Sequence, residues 1–151
     1  MIRNSRGYTL VEMVMVLVVA GILLTIISPK LTALSTKLTV RSSTQKIATY
    51  LAQARAAAIE NGRPAAFIRN GNTITVAVDT GTKQVAYTGT VDLFTEHGVT
   101  LSATQDTVRF DPRGIASGLG STLTIVVSKA SIRDSVCVIG LGRISTKDCS
   151  L

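Results

Sequence analysis

The chain is short of the side chains that most catalysis needs. It has one histidine, His97, and two cysteines, Cys137 and Cys149. No His-Glu-x-x-His, Cys-x-x-Cys or Gly-x-Ser-x-Gly pattern occurs, which removes the common zinc, dithiol and nucleophile-elbow arrangements. His97 stands beside Gly98 and reads as a turn or surface residue rather than a base. The carboxylates Asp106, Asp111, Asp134 and Asp148 are scattered, mostly beside a basic residue or a turn, and compose no metal site. Gly118-Leu119-Gly120 and Gly140-Leu141-Gly142 are fragments of a dinucleotide pattern, but too little chain follows Gly142 for a βαβ unit. The expectation is a protein that is not an enzyme and uses no cofactor.

Charge is missing over residues 13–29, where every side chain is uncharged. As a helix, residues 8–29 would run roughly 33 Å, about the thickness of a bilayer's hydrocarbon core. One acid, Glu12, opens this run. A carboxylate costs about 2.5–3.5 kcal/mol at the bilayer centre and less near the interface, so its position calls for a reason. The residues ahead of it are polar, basic through Arg3 and Arg6, and end on Gly7, where no Cβ obstructs entry to a protease site. Cleavage there would leave an ammonium on Tyr8, four residues before Glu12 and so on one helical face. The two could pair within a chain or across two chains side by side in a membrane, and the second arrangement is a mechanism of assembly. Two plainer arrangements share part of the pattern. An ordinary secretory signal would use Val18-Val19-Ala20, although that site lies inside the apolar run, and an ordinary anchor would carry no acid at Glu12.

The string Gly7-Tyr8-Thr9-Leu10-Val11-Glu12 with its basic leader and apolar sequel resembles the class III signal of type IV pilins and type II secretion pseudopilins. That resemblance implies cleavage after Gly7 by a prepilin peptidase, methylation of the Tyr8 amine, and a subunit-pairing role for Glu12. Tyr8 departs from the phenylalanine usual in the family, an aromatic exchange that slows processing at most. A second stretch, Arg109-Phe110-Asp111-Pro112-Arg113-Gly114, has Asp, Pro and Gly at the first, second and fourth positions of a type I turn. With the segment around Ala54-Arg55 it is similar to the head-domain pattern of the GspH/FimT subfamily.

The remaining composition fits one anchored, exported domain. The formal charge is +7, from 16 basic and 9 acidic residues, and losing Arg3 and Arg6 lowers it by two. Their position before the apolar run places the N-terminus in the cytoplasm and the bulk of the chain outside the inner membrane. In an exported domain Cys137 and Cys149 pair most simply as a disulfide stapling the last loop; a metal site or two buried thiols are the alternatives.

Helical spacing resumes beyond Pro29, which is expected to bend or unwind the helix at the membrane exit. Leu31, Leu34 and Leu38, then Ile47, Leu51, Ala54 and Ala58, recur at intervals of three and four. Between them the polar stretch 39–46 is expected to lack a sheet to pack on. Gly62 followed by Pro64 stops the helix. Thereafter alternation predicts strands over 65–69 and 73–78 about an Asn70-Gly71-Asn72 turn, and over 85–88, 91–95, 107–110, 123–128 and 135–141. The fold class is α+β: a long N-terminal transmembrane-plus-stalk helix packed on an antiparallel β-sheet head. Its parts are a leader at 1–7, a span at 8–29, a stalk at 30–62 and a periplasmic head at 63–151.

Lys129, Arg133, Arg143 and Lys147 fall on or near the stapled loop and could follow a phosphate backbone. Gly142-Arg143-Ile144-Ser145 partly resembles the Gly-Arg-x-Arg motif of DNA-binding FimT proteins, with serine in place of the second arginine. Asp134 and Asp148 offset two of the charges, and no aromatic follows Phe110 to stack on bases. The favoured reading is a minor pilin-like subunit that joins or primes a filament for secretion or pilus biogenesis. Its partners are other pilin subunits, the prepilin peptidase, the assembly platform and the lipid bilayer. A DNA-capturing minor pilin of natural transformation is the alternative.

Overall fold

A computed structural model describes residues 7–119, 122–146 and 149, and for 26–29 the backbone alone. The leader before Gly7, and Gly120, Lys147 and Asp148 of the motifs above, lie outside the described residues. The chain divides into a unit ending at Ser35 and a unit beginning at Thr36. Helix α1 (Leu10–Asn61) is assigned without a break at Pro29, so the expected local unwinding is absent.

In the first unit the apolar side chains stay uncovered. Leu10, Val14, Leu17, Leu24 and Leu31 are all exposed, and residues 8–25 are open around the helix apart from half-buried Ala20. A helix that is apolar on every side and packed on nothing is long and apolar enough to cross a membrane.

In the second unit α1 buries one stripe: Val40, Ser43, Thr44, Ile47, Leu51, Ala54 and Ala58, spaced by three and four. The stretch 39–46 therefore does pack, against expectation. The reason is local hydrogen bonding. Ser43 Oγ donates to the Thr39 carbonyl and Thr44 Oγ1 to the Val40 carbonyl, each at 2.9 Å, so both hydroxyls are satisfied within the helix and can be buried. Leu31, Leu34 and Leu38, which share the helical spacing, are all exposed. Gly62, at φ 59, ends the helix, with its N–H on the Ile59 carbonyl and that of Arg63 on the Ala58 carbonyl.

The rest of this unit holds two antiparallel sheets rather than one. The first runs β3 (Gln84–Ala86), β2 (Thr73–Asp79), β1 (Ala65–Asn70), β6 (Thr107–Phe110), β7 (Ala116–Ser117), with β4 (Val91–Asp92) also on β2. The second runs β10 (Ile144–Ser145), β9 (Ile132–Val138), β8 (Leu123–Lys129), β5 (Thr100–Ala103). Asn70 pairs with Thr73 across the expected hairpin, where Gly71 takes φ 62.

The strand expected over 91–95 stops at Asp92 and becomes helix α2 (Leu93–His97). Asp92 caps it, its Oδ1 accepting from the Phe94 N–H at 2.9 Å and its Oδ2 from Thr95 Oγ1 at 2.8 Å. Strand β5, unmarked by strong alternation, then joins β8 in the other sheet. One core unites helix and sheets through Leu51, Phe67, Val76, Phe110, Ile125 and Val136.

Candidate functional site

Gly7 is exposed, and a Cβ built on it would meet nothing within 4 Å. Tyr8 is 75% exposed. Helix α1 starts at Leu10 with Thr9 as its cap, Thr9 Oγ1 accepting the Glu12 N–H at 3.2 Å. Tyr8 thus stands ahead of the helix, and the helical i, i+4 relation expected between its amine and Glu12 does not hold within one chain. Pairing across chains does not require that relation. Thr9 and Glu12 also have the spacing of a capping box, a signal present in the sequence itself. An acid in a first helical turn gains about 0.3–1 kcal/mol from the helix dipole, less than the cost of a carboxylate at the bilayer centre.

The two stretches of head-domain pattern, distant in sequence, meet at Arg55. Asp111 organises the first turn: its carbonyl accepts from the Gly114 N–H at 2.8 Å, and its Oδ1 from the N–H groups of Arg113 and Ile115, each at 2.9 Å. The Ile115 N–H, then the Arg113 side chain and N–H, hold the Asp111 carboxyl below its usual range. Gly114, at φ 78, leaves room for Arg55 and Ile59; a Cβ there would stand 2.9 Å from both side chains. The second turn, Gly140 to Gly142, lies against the first. The Ala116 N–H donates to the Gly140 carbonyl at 3.1 Å, and a Cβ on Gly142 would overlap the Gly114 carbonyl. Arg55 Nη1 donates to the Gly142 carbonyl at 3.2 Å. The glycine of the Gly142-Arg143 pair is thereby committed to packing.

The basic residues do not form one patch. Lys129 Nζ donates to the His97 carbonyl at 2.6 Å, closing the end of α2. Exposed Arg133 follows the β8–β9 turn, whereas exposed Arg143 lies past the other end of β9, roughly 20 Å away along the strand. Lys147 is outside the described residues. Cys137 and Cys149 are joined in a disulfide with Cα atoms 5.5 Å apart. Among the described residues no group of three or more His, Cys, Asp or Glu side chains is placed to hold a metal.

A long, uniformly apolar N-terminal helix headed by a lone acid, with an antiparallel β head packed on the helical segment beyond it, defines a pilin-like protein. Residues 43–142 match the family described as type II transport protein GspH, and residues 2–28 match the prokaryotic N-terminal methylation motif. The chain belongs to the GspH family and is a minor pilin or pseudopilin subunit. No curated protein matches it.

Among solved structures, the type IV minor pilin FimU of Pseudomonas aeruginosa is similar in fold, with TM-score 0.60, 16% identity, and coverage of 72% of this chain and 88% of FimU. The minor pseudopilin EpsH from the type II secretion system of Vibrio cholerae is similar with TM-score 0.59, 11% identity, and coverage of 74% and 94%.

Proposed function

We propose that the chain is cut after Gly7, methylated on the new Tyr8 amine and held by residues 8–29 as a single inner-membrane span. The N-terminus is cytoplasmic, residues 30–62 form the stalk, and 63–151 form a periplasmic head. Its role is structural rather than catalytic: it enters or primes a filament of pilin-like subunits for type II secretion or pilus biogenesis, working with the prepilin peptidase and the assembly platform. The observation that carries this reading is the conjunction of an accessible Gly7, an exposed all-apolar helix and Glu12 in its first turn. Intact-mass analysis of membrane-extracted protein is expected to find a chain starting at Tyr8 and carrying one methyl group. Retained Met1, or a start at Gly21, would reject the reading.

DNA capture ranks second. Exposed Arg143 favours it, with no side-chain partner among the described residues. The use of Lys129 by the His97 carbonyl and the placement of Arg133 at the far end of β9 weigh against it.

A further inference from the structure

Beside the second half of α1, β9 has an open edge. Strand β10 pairs only with Cys137 and Val138, so among the described residues 132–136 have a partner strand on the β8 side alone, with Cys149 Sγ lying 3.2 Å from Ser135 Oγ at one end of the free stretch. The direction of the free groups follows from the hairpin. Lys129 and Ile132 flank a two-residue turn, and such flanking pairs bond toward each other, so the backbone groups of Arg133 and Ser135 point away from β8. The Ser135 N–H agrees: it donates to the Asp134 Oδ1 at 2.9 Å. This edge borders a groove of about 670 Å³ between β9 and α1, with an apolar floor from Val40, Ala48 and Ile132.

The rim is cationic. Lys37, Arg41 and Arg133 line the groove, and none of them pairs with a carboxylate among the described residues. Among the described residues the one acid there, Asp134, is already engaged by the Ser135 N–H. We propose that this groove takes an extended acidic segment of a partner protein, added as a strand to β9. The edge supplies the Arg133 N–H and the Arg133 and Ser135 carbonyls in strand register, and the three cations select negative side chains. A strand edge reads polypeptide rather than phosphate, which separates this surface from a nucleic-acid groove. The inference is independent of the filament reading, because it concerns what the groove binds and not how the chain is processed.

The test uses the full chain in neutral detergent and a short fluorescent peptide alternating glutamate and valine. Anisotropy should show saturable binding that weakens as salt rises. The double variant Arg41→Glu with Arg133→Glu, both exposed in the parent, should bind roughly tenfold more weakly while keeping the parent's unfolding temperature. The same peptide N-methylated on alternate amides should lose binding to a like extent, and the unmodified peptide should slow hydrogen exchange at the Arg133 amide. Absent saturable binding, equal affinity for the N-methylated peptide, or indifference to the charge reversal would overturn the proposal. So would duplex DNA bound through the same arginines and not displaced by the peptide.

Discussion

At the scale of single residues, two turns are locked by glycines that have no spare room. Gly142 combines φ 78 with a neighbouring carbonyl where its Cβ would go, and a backbone carbonyl cannot swing aside as a side chain end can. Gly142→Ala should therefore destabilise the protein by about 2–4 kcal/mol. Gly71→Ala faces only the left-handed backbone, φ 62 with open space, and should cost about 1–2 kcal/mol. Chemical unfolding in detergent compares the two, and equal losses would mean that the Arg55 junction does not constrain Gly142.

Asp111 adds a pH dependence. Its folded-state value is depressed, so its contribution is present above the ordinary aspartate value of about 3.9 and is lost as pH falls through the lower folded value. Asp111→Asn keeps an acceptor oxygen without the charge. The variant should be less stable than the parent near neutrality, and the gap should shrink below roughly pH 4. A gap that stayed constant across unfolding curves at the two pH values would show that the carboxylate's charge is immaterial.

At the scale of elements, α1 carries two regimes of side-chain environment. Its early residues are apolar and uncovered, which leaves them for lipid or for neighbouring helices. From Val40 onward one stripe meets the sheets, and its polar members are short hydroxyls that turn back onto their own helix. Strand β9 shows a comparable local solution. Cys137 alternates with Val136 and Val138 along the strand, yet all three are buried, Cys137 while bonded to Cys149. Closing a loop of this length is worth about 3 kcal/mol on the chain-entropy model. Reduction, or Cys149→Ser, should lower the unfolding free energy by about that amount, and an unchanged free energy would mean that the segment after β10 is held by other contacts.

At the scale of the whole molecule, the decisive energy is that of Glu12 in an apolar phase. The helix-dipole gain of about 0.3–1 kcal/mol does not offset a burial cost of about 2.5–3.5 kcal/mol, which leaves a drive to find a cation. On the processing proposed above, the methylated Tyr8 amine of a neighbouring subunit would be such a cation. Glu12→Ala should insert and be cleaved normally, because alanine enters the membrane at least as readily. Its recovery with other filament subunits on co-purification should fall several-fold, since the amine loses its partner. Undiminished recovery would assign the acid to the dipole of the first turn of α1 instead.

What the sequence by itself determined is whatever depends on neighbours along the chain. The uncharged run 13–29, the Gly62 stop, the Asn70-Gly71-Asn72 hairpin and the Asp111-Pro112 turn all rest on local sterics, hydrogen bonds and hydropathy, and all were legible. The motif around Gly7 and Glu12 was legible for the same reason. What only the tertiary structure decided involves residues far apart in sequence. Burial of Ser43 and Thr44, the division into two sheets and the departure of β5 to β8 depend on which surfaces meet, and no local pattern encodes that. The dispersal of Lys129, Arg133 and Arg143 and the convergence of Arg55, Gly114 and Gly142 have the same origin. Sequence proximity made the cations look like one cluster, but a strand carries its two ends apart, whereas antiparallel turns bring distant glycines into contact.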